Sequence, residues 1–161
     1  MINIDTTDQS ITELLLNNQV DVVIHGCNCF HTMTGRVAKA LNEITNGDVE
    51  ILDKSFSPYA DINNLGTYTN GVYTIEGKEV EIYNLYSQYT LSAPQCEPIH
   101  WESVYNGLYD IIEHCESNCV IAIGQIGQTP QGQTEFNQLL EDFAQKNDDY
   151  LPDVDILVVE R

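Results

Sequence analysis

The chain has 161 residues, 42% of them hydrophobic and 19% charged, a composition that excludes disorder throughout and leaves room for one ordinary domain with a core of its own, since about 70% of the unfolded surface can be buried at this length. Against 6 basic residues stand 25 acidic ones, a net charge of -19 that repels phosphate backbones and disfavours nucleic acid as a partner. No run of about 20 apolar residues occurs and MINIDTTDQ lacks a basic start followed by an apolar stretch, so no membrane partner is expected and a cytoplasmic location is. Small anionic ligands stay admissible, because backbone N–H groups at a helix N-terminus act locally where a distant field is screened. A mimic of DNA would need its acids on one outer face, whereas here they are scattered among apolar segments.

Residues 1–5 read as an opening strand, and Ser10 as the N-cap of a helix with Ile11, Leu14 and Leu15 at helical spacing, ended by Asn17-Asn18. The β-branched run 20–25, VDVVIH, suits a strand buried on both faces at the centre of a parallel sheet. After a polar loop, Val37, Ala38, Leu41 and Ile44 mark one face of a helix starting near Gly35, which Asn46-Gly47 stops. Residues 49–52 are expected to be extended, 55–64 a loop, and 66–69 the start of new strand chemistry. Segments 72–75 and 80–86 flank Glu76-Gly77-Lys78 and predict a β-hairpin. Val104, Leu108, Ile111, Ile112 and Cys115 form the stripe of a helix over 99–116, with a buried strand at 120–123 after it. Phe136, Leu139, Leu140 and Phe143 predict another helix, and 156–159 a closing strand.

Helices interleaved with strands require crossover connections, so the expected class is α/β: a three-layer α/β/α sandwich on a mixed, mostly parallel central sheet, as a single domain over 1–161. Cys27, Cys29, Cys96, Cys115 and Cys119 are an odd set, expected to be reduced. His25, Cys27, Cys29 and His31 offer zinc-type donors, but alternate spacing on an extended segment strings them along a line instead of around a tetrahedron. Buried thiols are expected there, and neither a metal nor a cofactor.

Two strand-to-helix junctions carry ligand-loop chemistry, 26–36 and 124–134. The first, HGCNCFHTMTGRVAK, opens a helix whose free N–H groups suit phosphate oxygens, with Arg36 as a cation. The second, IGQIGQTPQGQTEF, holds Gly124, Gly127 and Gly132 with Gln and Thr side chains, so that backbone approaches a ligand closely. Neither matches a P-loop or a full dinucleotide fingerprint. A turn that merely needs glycine is the plainer account of either loop alone.

The stretch VDVVIHGCNCFHTMTGRVAKALNE resembles the first ligand loop of macro domains, especially the compact ADP-ribose-1''-phosphate phosphatase-like branch common in bacteriophages, whose loop reads NCFHTMGxGxAK. LGTYT, IYNLYSQYT and IAIGQIG extend the likeness in order over 20–135. The resemblance implies a macro-domain-like fold in which Asn28 meets the distal ribose, 35–37 wrap the diphosphate, and 124–132 form the second phosphate loop. Ser10 or Asp8 takes the place of the adenine-reading aspartate, with Ile11-Thr12 beside it. The implied ligand-binding set is Ser10, Ile11, Gly26, Cys27, Asn28, Thr34, Gly35, Arg36, Val37, Gly124, Gln125, Ile126, Gly127, Gln128, Thr129 and Gly132. Asn28 and His31 are the expected catalytic residues, His31 because its reference pKa suits proton transfer.

The chain departs from the family's pattern at three points. Thr34-Gly35-Arg36 replaces a Gly-x-Gly step, Gly132-Gln133-Thr134 lacks the acid of Gly-Gly-Asp with Glu135 next in line, and Asn42 stands where one hydrolase branch has lysine. The resemblance implies a small-molecule, ADP-ribose-like nucleotide as partner and hydrolysis of a 1''-phosphate or ADP-ribosyl group. Two alternatives stay open: a phage binder that sequesters a nucleotide immune signal in the host cytoplasm without chemistry, and an acidic interaction module with a vestigial pocket.

Overall fold

The computed structural model of the protein describes residues 1–33, 35–56, 59–89 and 99–160. In chain order the elements are β1 (Ile2–Thr7), α1 (Ile11–Leu16), β2 (Val22–Asn28), α2 (Arg36–Ile44), α3 (Asp48–Lys54), a 3-10 turn (Ile62–Asn64), β3 (Tyr68–Ile75), β4 (Lys78–Gln88), α4 (Trp101–Glu113), β5 (Cys119–Gly124), α5 (Pro130–Asn147) and β6 (Val154–Val159). The six strands form one sheet in the order β1-β6-β5-β2-β4-β3, parallel throughout except for the β3–β4 hairpin. Cys96 and Thr34 lie outside the described residues.

Period-two alternation assigns the strands to two cores. Val22 and Ile24 of β2 join Ile121 and Ile123 of β5 beneath α4 and α5, while Val23 and Ala122 join the opposite cluster with Leu14 of α1, Leu41 of α2 and Val49 of α3. The result is the expected three-layer sandwich. On α5, Phe136, Leu140 and Phe143 are at most 1% exposed, and each stabilises the packed state by about 1.5–3 kcal/mol. Gly107 lets α4 lie close on β4, because a β-carbon there would run into the Leu85 side chain.

The expectation of extended chain at 49–52 is corrected: this segment is the second half of a helical hairpin, α3. Val49 and Asp53 fall one turn apart on the buried face, Asp48 and Glu50 sit in the first turn where the helix dipole favours acids, and Gly47 turns the chain at φ 88. A short run with two apolar residues in a row does not distinguish the two periods, and packing against the α2 face decided it. The fourth helix is also shorter than the 99–116 stripe suggests, ending at Glu113 with a tight last turn.

Chain direction fixes where a ligand can enter. From β2 the chain leaves to the face carrying α2 and α3, whereas from its neighbour β5 it leaves to the opposite face through α5. Connections that part to opposite sides of adjacent parallel strands open a crevice at the strands' carboxyl ends.

Candidate functional site

Both glycine-bearing loops meet at that crevice, in a cleft of about 1020 Å³. Of the residues singled out from the sequence, Gly26, Cys27, Asn28, Gly35, Arg36 and Val37 line it from the first loop, and Gly124, Gln125, Ile126, Gly127, Gln128, Thr129 and Gly132 from the second. The close approach has a steric basis. A β-carbon on Gly26 would stand 2.7 Å from Ser87 Oγ and 3.2 Å from Ile126 Cγ1, and one on Gly124 would stand 3.3 Å from Val37. Gly127, at φ 85, packs its backbone against Gly132, so these two glycines close the second loop onto the start of α5. Thr129 caps that helix, its Oγ1 accepting from the Gly132 N–H at 3.0 Å. Around Gly35, by contrast, the space beside the α-carbon is open.

Asn28 organises the first loop. Its Nδ2 donates to the Thr32 carbonyl at 3.0 Å and Thr32 Oγ1 at 2.8 Å, and its Oδ1 accepts from the Phe30 N–H at 3.0 Å. The loop then releases at Gly35, the N-cap of α2, with Arg36 as the first helical residue. Arg36 is exposed, and among the described residues lining the cleft it is the only lysine or arginine. It sits at the positive end of a helix dipole, so charge and dipole add for an anion.

Three of the residues singled out from the sequence, His31, Ser10 and Ile11, lie away from the cleft lining. His31 does not line the cleft: it is 3% exposed, adopts the left-handed φ of 57, and its Nδ1 meets Asp53 Oδ1 at 2.9 Å. Tyr86 donates to the same carboxylate oxygen at 2.7 Å, and Phe56, Tyr59 and Tyr86 surround the imidazole. The ring is held back by α3, an element that the sequence reading treated as extended. Ser10 is spent on capping α1, accepting from the Glu13 N–H at 3.2 Å, and Ile11 is 1% exposed in the core. Neither lines the cleft. Thr34 falls outside the described residues.

His25, Cys27 and Cys29 are uncharged at neutral pH. His25, 3% exposed, donates from Nε2 to Asn84 Oδ1 at 2.5 Å, and burial lowers its pKa below the usual 6.5. Burial likewise pushes the Cys27 thiol well up and the Cys29 thiol to about 11, so neither is a thiolate nucleophile at neutral pH. Among the described residues no three His, Cys, Asp or Glu side chains converge as a metal site would require.

The sequence reading missed several lining residues. Ser87 and Gln88 at the end of β4, Ile99 and Trp101 before and in α4, Gln131 and Glu135 on α5, Val159 at the end of β6 and Glu160 after it all face the cleft. Strand ends at one sheet edge were a usable signal for β4 and β6. Trp101 is the only tryptophan, and its Nε1 donates to Glu135 Oε2 at 2.7 Å.

No family model matches the chain. An uncharacterized 17.5 kDa protein in the tk-vs intergenic region of Enterobacteria phage T4 is 35% identical over 69 residues, which span 42% of this chain and 43% of that protein's length. Solved structures are similar over nearly the whole chain. The macrodomain of Thermus aquaticus DarG has a TM-score of 0.62 at 17% identity, covering 100% of this chain and 99% of that one. The macrodomain of Mycobacterium tuberculosis DarG has 0.63 at 17%, covering 100% and 98%. Thermosipho africanus DarTG, solved in complex with ADP-ribose, has 0.61 at 12%, covering 97% of this chain and 41% of the other. At these identities the likeness establishes the architecture.

Proposed function

From a chain with the macrodomain fold we infer a protein that binds ADP-ribose or a close derivative in the cleft between the β2–α2 and β5–α5 loops. The observation that carries this reading is the convergence of both glycine-bearing loops on one crevice, with Arg36 at the N-terminus of α2 inside it. A diphosphate there accepts hydrogen bonds from loop amides and from the free N–H groups of the first helical turn. Arg36 offsets an otherwise acidic surface, of net charge -19, at the point of anion entry. The complex of the DarTG relative with ADP-ribose supports the ligand class. Calorimetry with ADP-ribose tests the reading. Binding is expected, and Arg36→Ala weakens it about tenfold, the worth of one charge-assisted contact at an exposed site. Absence of heat with ADP-ribose in the unaltered protein refutes it.

For hydrolysis, water activated beside Asn28 is the concrete enzymatic form, with loop amides stabilising developing charge. The withdrawal of His31 from the cleft favours a second reading, binding without turnover, as in sequestration of a nucleotide signal. Recovery of intact ADP-ribose-1''-phosphate after incubation supports the binder, and release of inorganic phosphate supports the phosphatase.

A further inference from the structure

A second hollow, of about 520 Å³, runs between α4 and α5 and shares Trp101 and Glu135 with the cleft. Its floor is aromatic and aliphatic: Trp101 stacked on Phe136 at 6.2 Å between ring centroids, Tyr105 edge-on to Phe143 at 5.1 Å, and half-buried Leu139. Carboxylates of Glu102, Glu135 and Asp142 border it, against the single base Lys146. Glu135, Leu139, Asp142 and Lys146 lie on one stripe of α5, with Glu135 at the cleft end and Lys146 at the far end. Between those two the helix rises roughly 16 Å, the reach of about five extended residues.

The acidic end of the groove therefore adjoins the cleft, and beside its carboxylates stand the half-buried rings of Trp101 and Tyr105. That combination attracts a guanidinium or ammonium group through both ion pairing and cation–aromatic contact. It repels a phosphate chain, so a nucleic acid is a poor occupant. We propose that the groove seats a cationic polypeptide segment attached to the ADP-ribosyl group in the cleft, so that the protein selects ADP-ribose carried next to Arg or Lys side chains. The proposal rests on the reading of the cleft given above and adds the chemistry of what the nucleotide is joined to.

The test uses the full chain and four ligands: free ADP-ribose, ADP-ribose joined by a stable linker to a short peptide with either Arg or Gln beside the attachment point, and ADP-ribose joined by the same linker to a short oligonucleotide. Calorimetry measures each affinity, with fluorescence of Trp101 as a second readout. The Arg conjugate is expected to bind about tenfold tighter than the Gln conjugate, with a preference that shrinks in high salt. The double change Glu102→Lys and Asp142→Lys is expected to remove the preference while leaving free ADP-ribose unaffected. Tyr105→Leu, which keeps the charges, is expected to reduce the preference about threefold. Equal affinities of the two conjugates, a preference that survives charge reversal, or tighter binding of an oligonucleotide conjugate overturns the proposal while free ADP-ribose still binds. If free ADP-ribose gives no heat, the reading of the cleft fails first and the proposal falls with it.

Discussion

Gly26→Ala and Gly35→Ala separate the two uses of glycine in the first loop. At Gly26 the new β-carbon stands 2.7 Å from Ser87 Oγ and 3.2 Å from Ile126 Cγ1. The serine hydroxyl yields readily, since its bond to the Cys27 carbonyl is long, at 3.4 Å. Ile126 does not: it is 3% exposed and packed within the α4–α5 core. The substitution therefore overpacks the contact between β2 and the second loop, at a cost of about 1–3 kcal/mol. In a chain of this size each kcal/mol moves Tm by roughly 2–4 °C, so the expected fall is about 2–12 °C. ADP-ribose affinity falls with it, because the displaced residue belongs to the cleft wall. At Gly35 no atom lies within 4 Å of the new β-carbon, and φ -73 suits any residue. Tm then falls by about 2–4 °C at most, from alanine's poorer N-cap character alone and with no steric contribution. Affinity still drops where the methyl enters ligand space. Thermal unfolding and calorimetry on both variants read the two effects apart. Equal Tm values for both variants would refute the steric argument, and unchanged affinity in both would refute the assignment of these loops to a nucleotide.

The remaining expectations are simpler to state. His25 has a folded-state pKa below its unfolded value, so it contributes stability that is present above about pH 6.5 and is lost as pH falls through the lower, folded value. His25→Gln keeps a donor for Asn84, and its Tm is expected to fall less than that of the unaltered chain between about pH 6.5 and 5; parallel curves would show that this imidazole is not the titrating group. His31→Ala leaves the buried Asp53 carboxylate with Tyr86 alone among the described residues and should cost about 3 kcal/mol in urea unfolding. A loss under about 0.5 kcal/mol would mean that the Asp53 contact does not hold the loop. Gly47→Ala, in open space but at φ 88, should cost about 1 kcal/mol from backbone strain alone, and a neutral result would argue against the left-handed turn before α3.

Local chemistry made most of the architecture readable. VDVVIH is apolar on both faces because its strand is covered on both faces, and Glu76-Gly77-Lys78 between two strand patterns marked the hairpin that supplies the antiparallel pair among the described strands. The glycines at 26, 35, 124, 127 and 132 were legible as loop positions, although only Gly35 borders open space. Less was legible about side chains whose direction depends on distant partners. His31 stands in a loop rich in ligand-type residues, yet Asp53, on a helix that packs later, draws its ring inward. Trp101 and Glu135 reach the cleft from two helices far apart in the chain.

What the amino-acid order determined by itself is periodicity, capping and turn chemistry, and hence the layers and the carboxyl edge where two loops emerge. Only packing in three dimensions decided which atoms face the hollow at that edge. The reason is that a strand or helix pattern is set by neighbours within a few residues, whereas a side chain's orientation in a loop is set by contacts whose entropy is repaid only after the sheet and both helical layers have closed.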